Sequence, residues 1–296
     1  MKVLLTGREG QIGGRLGRLL PGFCDCWSVA RDDFDLGDVS ALHAALEQFK
    51  PALIINAAAY TDVDGAEDHK EMAFALNAKA PKVMADWAMT NSAALIHYSS
   101  DYVYDGTGEE PWTEVDTPNP VNAYGESKLA GDRAIAESGA AHLILRTSWI
   151  YAAEGRNFLR TMLRLGAERE ELSVVDDQIG APTPASVVAS VTAEILNQSK
   201  GDIVELFRRK GGVIHCAAMG ETSWRGFAES IFKGACKRGA ELRVKHLNGI
   251  STREYPRPAR RPGNSRLVMA RLKSDFGIET PHWRDGLSHV LDEIYA

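Results

Sequence analysis

Short apolar blocks alternate with helix-period stretches through the first half of the chain. Lys2–Thr6 is nearly all apolar, which predicts a buried strand, and Gln11–Leu20 follows with helical spacing. A second strand is predicted over Cys24–Val29. The next helix is Val39–Phe49, with Leu42, Ala45 and Leu46 on one face. Behind Pro51 comes a strand over Ala52–Asn56, then one long helix over Lys70–Met89. Ala94–Tyr98 reads as a strand, Asn122–Glu137 as a helix and His142–Arg146 as a strand. Strands apolar on both faces, joined through helices, specify a parallel sheet covered on both sides. Right-handed crossovers make it a doubly wound, Rossmann-like α/β fold.

Beyond Thr147 the alternation fades. Helices are predicted over Asn157–Ala167, Ala185–Gln198, Trp224–Cys236 and Trp283–Tyr295, with a short strand over Val213–Cys216. Tyr255–Ser265 holds Pro256, Pro258 and Pro262 and reads as an irregular loop. The expected division is a dinucleotide-binding domain over residues 1–147. Residues 148–296 form a smaller, mostly substrate-binding lobe, interleaved with the first.

Composition narrows the partners. With 296 residues, 44% hydrophobic and 25% charged, the chain is an ordinary globular protein. Its net charge of −6 offers no global field for nucleic acid or anionic membrane, so neither is expected as a partner. There is no apolar run of about 18 residues, and Arg8 and Glu9 cut short the one at the N-terminus. The expected location is the cytoplasm. There Cys24, Cys26, Cys216 and Cys236 are read as reduced thiols, since C-x-C is not the spacing of a redox or zinc site.

The first chemical signal is Thr6-Gly7-Arg8-Glu9-Gly10-Gln11-Ile12-Gly13, placed between a strand and a helix. Gly7, Gly10 and Gly13 permit a tight turn and close backbone approach, while the helix start at Gln11 and Ile12 faces a pyrophosphate. At the end of the second strand, a basic residue suits a 2′-phosphate and an acidic one suits a free 2′-hydroxyl. Arg31 therefore points to NADPH, while Asp32 directly after it keeps NADH open. Asp35 and Leu36 are placed beside the adenine.

The second signal is Tyr124-Gly125-Glu126-Ser127-Lys128, a Tyr and a Lys one helical turn apart, preceded by the hydroxyl-rich strand end Tyr98-Ser99-Ser100-Asp101. A phenol with a pKa of about 10 is a weak acid-base group at neutral pH. A neighbouring ammonium is expected to lower that value, so that the phenol exchanges a proton with a carbonyl or alcohol oxygen. Ser100 would hydrogen-bond the same oxygen.

These residues resemble the extended branch of the short-chain dehydrogenase/reductase superfamily. Within it the chain resembles the dTDP-4-dehydrorhamnose reductases. The matching stretches are Asn56–Thr61, Ser100–Gly106, Asn122–Lys128, Arg146–Trp149, Asn157-Phe158, Asp177–Thr183, Ser223-Trp224 and Ala259–Leu267. Dehydratases of the branch carry an Asp-Glu pair after the Ser/Thr, whereas Tyr102 follows Asp101 here. The resemblance implies NAD(P)H-dependent reduction of a dTDP-4-keto sugar, made for rhamnose-containing cell-surface polysaccharide, with Ser100, Tyr124 and Lys128 as catalytic residues. It places Ala57, Ala58 and Tyr60 along the cofactor and Asp101, Tyr102 and Trp149 against the nucleotide sugar. Arg257, with Arg260, Arg261 and Arg266, suits the substrate diphosphate, and Asn264 joins the substrate set. Some members bind Mg²⁺ at a dimer contact through a glutamate where this chain has Arg15. No metal is therefore expected, and the chain is read as a monomer or weak homodimer. Two alternatives stay open: a reductase or epimerase of another nucleotide sugar, and a non-catalytic dinucleotide-binding regulatory subunit.

Overall fold

The computed structural model describes residues 1–22 and 24–296. Five strands and four longer helices, with shorter helical turns between them, build the first half among the described residues. The strands are β1 (Lys2–Thr6), β2 (Asp25–Val29), β3 (Leu53–Asn56), β4 (Ala94–Ser100) and β5 (Ala141–Thr147). The helices are α1 (Gln11–Leu19), α2 (Val39–Phe49), α3 (Ala80–Thr90) and α4 (Ala123–Glu137). The second half adds strands β6 (Glu171–Val175), β7 (Gly212–His215) and β8 (His246–Ile250). It also adds helices α5 (Phe158–Glu168), α6 (Ala185–Gln198), α7 (Ile203–Lys210), α8 (Trp224–Cys236), α9 (Ala270–Phe276) and α10 (Trp283–Tyr295).

Six strands form one parallel sheet in the order β7-β5-β4-β3-β1-β2. Alternate residues of each strand serve opposite cores. Val3, Leu5, Ile96 and Leu145 pack under α6 and α7, while Leu4, Leu95 and Ile144 pack under α2 and α3. All seven residues of β4 are buried, the signature of a strand covered on both faces. The chain leaves β1 toward β2 and returns across it to β3, so the strand order reverses between β1 and β3. A crevice opens there, at the carboxyl ends of the strands, and in open α/β sheets ligands bind at this point.

The second half has its own core, in which Tyr151, Leu159, Phe227, Ile231 and Trp283 interlock between α5, α8 and α10. It is not a separate unit. β7 completes the main sheet and α6 packs on α1.

The elements depart from the sequence pattern in places: β6, β8, α7 and α9 are absent from the predicted set, and several other bounds shift by one or two residues. β2 begins at Asp25 rather than Cys24. The long helix expected over Lys70–Met89 is instead a short α-helix (Lys70–Phe74), one π turn (Ala75–Lys79), then α3. Pro81 has no N–H to give the Asn77 carbonyl, so the turn widens and the Ala80 amide reaches back to Ala75.

Candidate active site

The crevice is a cleft of about 730 Å³ bounded by the loops after β1, β2, β3, β4 and β5. The glycine loop forms one end. Gly7 has φ +74°, and a Cβ there would stand 2.8 Å from the backbone of Ala57 and Ala58. A Cβ on Gly13 would stand 2.0 Å from the Gly7 carbonyl oxygen. Only glycines let these backbones close up, and the closure turns the start of α1 toward the cleft. Gly7, Gly10, Gln11 and Ile12 line it; Gly13 is the packing residue behind.

Arg31, Asp35 and Leu36 line the far side of this end. Arg31 makes no ion pair among the described residues. Asp33 is taken up by Arg8 at 2.9 Å and by the Ala30 amide at 2.8 Å. Ala57 and Ala58 line the floor, whereas Tyr60 does not. Instead the Tyr60 backbone is clamped by Asn77, whose side chain accepts from its amide and donates to its carbonyl.

Ser100, Tyr124 and Lys128 stand in the middle. Asn122 caps α4 by accepting from the Gly125 amide at 2.8 Å, which sets Tyr124 in the first turn and Lys128 one turn further. Gly125 allows this placement, because a Cβ would meet the Tyr102 carbonyl oxygen at 2.2 Å. Ser100, Tyr124 and Lys128 all line the cleft. The Tyr124 ring packs edge-on against Tyr102 at 5.7 Å.

The electrostatics correct the expected tuning. Burial pushes the Tyr124 phenol up to about 12; a hydrogen bond with Ser100 pulls the other way, and the charges of Asp101 and Asp132 add to the rise. Burial lowers Lys128 to about 8, with Asp132 opposing. Desolvation is thus the largest influence on the phenol, and it acts opposite to the expected lowering.

Asp101 sits beside the trio, 3% exposed, and burial raises it to about 6 against hydrogen bonds from Ser265, Ser100 and Ser148. Its Oδ2 has no partner among the described residues. Trp149 closes the other end with φ +48°, its ring stacked on Trp224 at 3.6 Å between centroids.

Two expected substrate residues lie elsewhere. Arg257 is ion-paired with Asp64, which also holds Arg261 at 2.9 Å and the Ala259 amide. Arg257 does not line the cleft, because the carboxylate of Asp64 has drawn its guanidinium away. Asn264 is buried and fastens loops, donating to the Glu110 carbonyl at 2.7 Å and accepting from Arg266 at 2.9 Å. Arg15 pairs with Glu293 on α10.

Several lining residues went unassigned in the sequence reading: Phe34, Thr147, Gly155, Arg156 and Trp224. Arg156 is the most informative. It is exposed, faces the cleft and makes no ion pair among the described residues. The one available signal was Asn157 after it. That residue caps α5 and donates to the Gln11 side chain at 3.1 Å, which seats the loop over the glycine turn.

A glycine cradle, a half-buried Tyr with a buried Lys one turn on, and an adjacent hydroxyl define an oxidoreductase of the short-chain dehydrogenase type. A family model described as the RmlD substrate binding domain matches residues 1–296. The chain is 46% identical to the dTDP-4-dehydrorhamnose reductase of Burkholderia thailandensis, covering 100% of both chains. It is 41% identical to that of Escherichia coli K12, covering 100% of this chain and 99% of the other. A solved dTDP-4-dehydrorhamnose reductase from Bacillus anthracis, in complex with NADP, is 33% identical with a TM-score of 0.89 over 99% of each chain. The chain belongs to the dTDP-4-dehydrorhamnose reductase family.

Proposed function

We propose that this chain reduces the C4 ketone of dTDP-4-dehydro-L-rhamnose to dTDP-L-rhamnose with NADPH. One observation carries the reading: the Tyr124 phenol stands with Ser100 and Lys128 on the wall of the cleft that begins at the glycine cradle. Reduction needs such a group, because a proton must reach the ketone oxygen as the alkoxide forms.

The cradle fits a dinucleotide, since the volume that Cβ atoms would fill at Gly7 and Gly13 is what brings the backbone amides to the phosphates. Gly7, Gly10, Gln11 and Ile12 would hold the pyrophosphate, Arg31 the 2′-phosphate, Asp35 and Leu36 the adenine, and Ala57 and Ala58 the middle of the cofactor. When bound, NADPH supplies the hydride. Tyr124 gives its proton to the oxygen at C4, and Ser100 holds that oxygen in line by its hydroxyl. Lys128 lines the cleft one turn beyond Tyr124, its Nζ held by the Tyr98 carbonyl at 2.6 Å. Asp101 and Tyr102 meet the sugar, and Trp149 offers it an aromatic face. Residues 1–147 supply most of the cofactor platform and residues 148–296 most of the substrate lobe. The partner this reading requires is the nucleotide sugar, and the chain acts as a monomer or weak homodimer in the cytoplasm.

The test follows NADPH absorbance with a panel of dTDP- and UDP-4-keto sugars; one NADPH consumed per product supports a reductase, and catalytic cofactor left unchanged supports an epimerase. Tyr124→Phe should lose about 10²–10⁴-fold in kcat with NADPH affinity nearly unchanged, and near-normal turnover would remove Tyr124 as the acid. Arg31→Asp should shift the kcat/KM ratio toward NADH. An unchanged ratio would separate Arg31 from the cofactor.

A further inference from the structure

A row of buried polar side chains crosses the sheet behind the cleft and has no part in the roles above. Thr6, Asn56 and His97 stand in register on neighbouring strands, Thr6 opposite Asn56 and Asn56 opposite His97. None is more than 2% exposed. Their hydrogen bonds have a direction. Thr6 Oγ1 donates to Asn56 Oδ1 at 2.7 Å, and the Ala58 amide N–H points at the same oxygen from 3.3 Å. Turning the Asn56 amide over would set its NH₂ against the Ala58 N–H, donor against donor. Asn56 Nδ2 therefore donates to His97 Nδ1 at 3.0 Å, and the neutral ring carries its single proton on Nε2. Nε2 lies 3.1 Å from Lys128 Nζ. An N–H at that place is welcomed by the lone pair of an amine and repelled by an ammonium.

We infer that His97 is a positioning residue that sets the proton affinity of Lys128: the Thr6–Asn56 row locks its ring so that an N–H, not a lone pair, faces Nζ. On its own helix Lys128 faces Tyr124 one turn before and Asp132 one turn after. Asp132 favours the ammonium but is shared with Arg146 of β5 at 3.1 Å. From β4 come His97 and the Tyr98 carbonyl; the Tyr98 hydroxyl bonds Thr192 at 2.8 Å. Burial and Lys128 hold His97 well below its ordinary range, and burial brings Lys128 to about 8. Lys128 can thus exchange its proton near the pH at which such a reductase works, one turn from the acid.

The direct test is two-bond ¹H–¹⁵N correlation on protein with ¹⁵N-labelled imidazoles, His97 being assigned from the His97→Gln difference spectrum. The expected result is the Nε2–H form throughout about pH 6–9. An Nδ1–H ring, or one that titrates in this range, overturns the inference. Thr6→Val removes the donor that orients Asn56 and should produce a mixture of the two tautomers; an unchanged spectrum counts against the row. The kinetic arm rests on the reductase reading. His97→Gln can offer a carbonyl oxygen to Lys128, so the basic limb of the kcat–pH profile should move up by about 0.5–1 unit, roughly three- to tenfold in proton affinity. A lower kcat with the limb unmoved means a merely structural histidine and overturns the inference. If no 4-keto sugar nucleotide is reduced at all, the reductase reading fails, and the tautomer spectra still decide this one.

Discussion

The Gly7–Gly13 loop and the Tyr255–Arg266 loop are equally plausible phosphate holders on paper, one through backbone amides and the other through guanidinium groups. In the folded chain they diverge. The glycine loop meets the cleft directly, because nothing but backbone competes for its amides. The arginines of the second loop are claimed by carboxylates of the protein itself: Arg257 and Arg261 by Asp64, and Arg266 by Glu221 at 3.1 Å. That loop meets the strand ends at Ser265, whose carbonyl accepts from the Ser148 hydroxyl at 3.3 Å. A side-chain cation is available to a ligand only if the fold leaves it unpaired, and among the described residues the cleft-lining guanidinium groups without an ion pair are those of Arg31 and Arg156.

The sharpest way to break this contrast is Gly13→Ala. With a Cβ placed 2.0 Å from the Gly7 carbonyl oxygen, overpacking of about 1–3 kcal/mol should weaken NADPH binding about 10–100-fold by calorimetric titration. Retained affinity would mean that the cradle is not backbone-made.

The buried carboxyl of Asp101 predicts a pH effect. The folded pKa of about 6 lies above the unfolded value near 3.9, so the native state binds more protons between them. Stability should therefore fall as pH rises from about 4 to 6 through this group. Asp101→Asn should flatten that slope and add about 1–3 kcal/mol at pH 7 by denaturant unfolding, while lowering kcat/KM for the sugar.

The smallest effects test the arginines against each other. Arg156→Ala should raise the KM for the nucleotide sugar or the Kd for NADPH about fivefold, near 1 kcal/mol. Arg257→Ala, which removes a half-exposed ion pair, should change both by less than about twofold. The reverse order would restore the Pro-rich loop as the diphosphate site.

How much was legible follows the same division. The parallel sheet, the glycine cradle and the Ser100, Tyr124 and Lys128 trio could be read in advance, because each depends on local periodicity or on spacing within one turn. The π turn was missed although Pro81 was in plain view, since a proline inside a helical pattern permits several outcomes. Arg257 and Asn264 were misplaced because their partners, Asp64 and Glu110, lie more than a hundred residues away in the chain. The phenol is pushed up where the spacing to Lys128 suggested a lowering, because desolvation depends on packing that spacing does not show. His97 did carry a signal: a histidine inside an otherwise apolar strand demands a partner.

The position of β7 also bears on how the chain is made. Its residues, Gly212–His215, pair in parallel with β5, whose last residue is Thr147. At about 5–20 residues per second, a ribosome needs roughly 3–13 s to travel between the two. Throughout that interval β5 is an apolar edge with one side unpaired, the kind of surface that invites association with other nascent chains. The main sheet, though five of its six strands are encoded in the first half, thus has to wait for the second half before it can close.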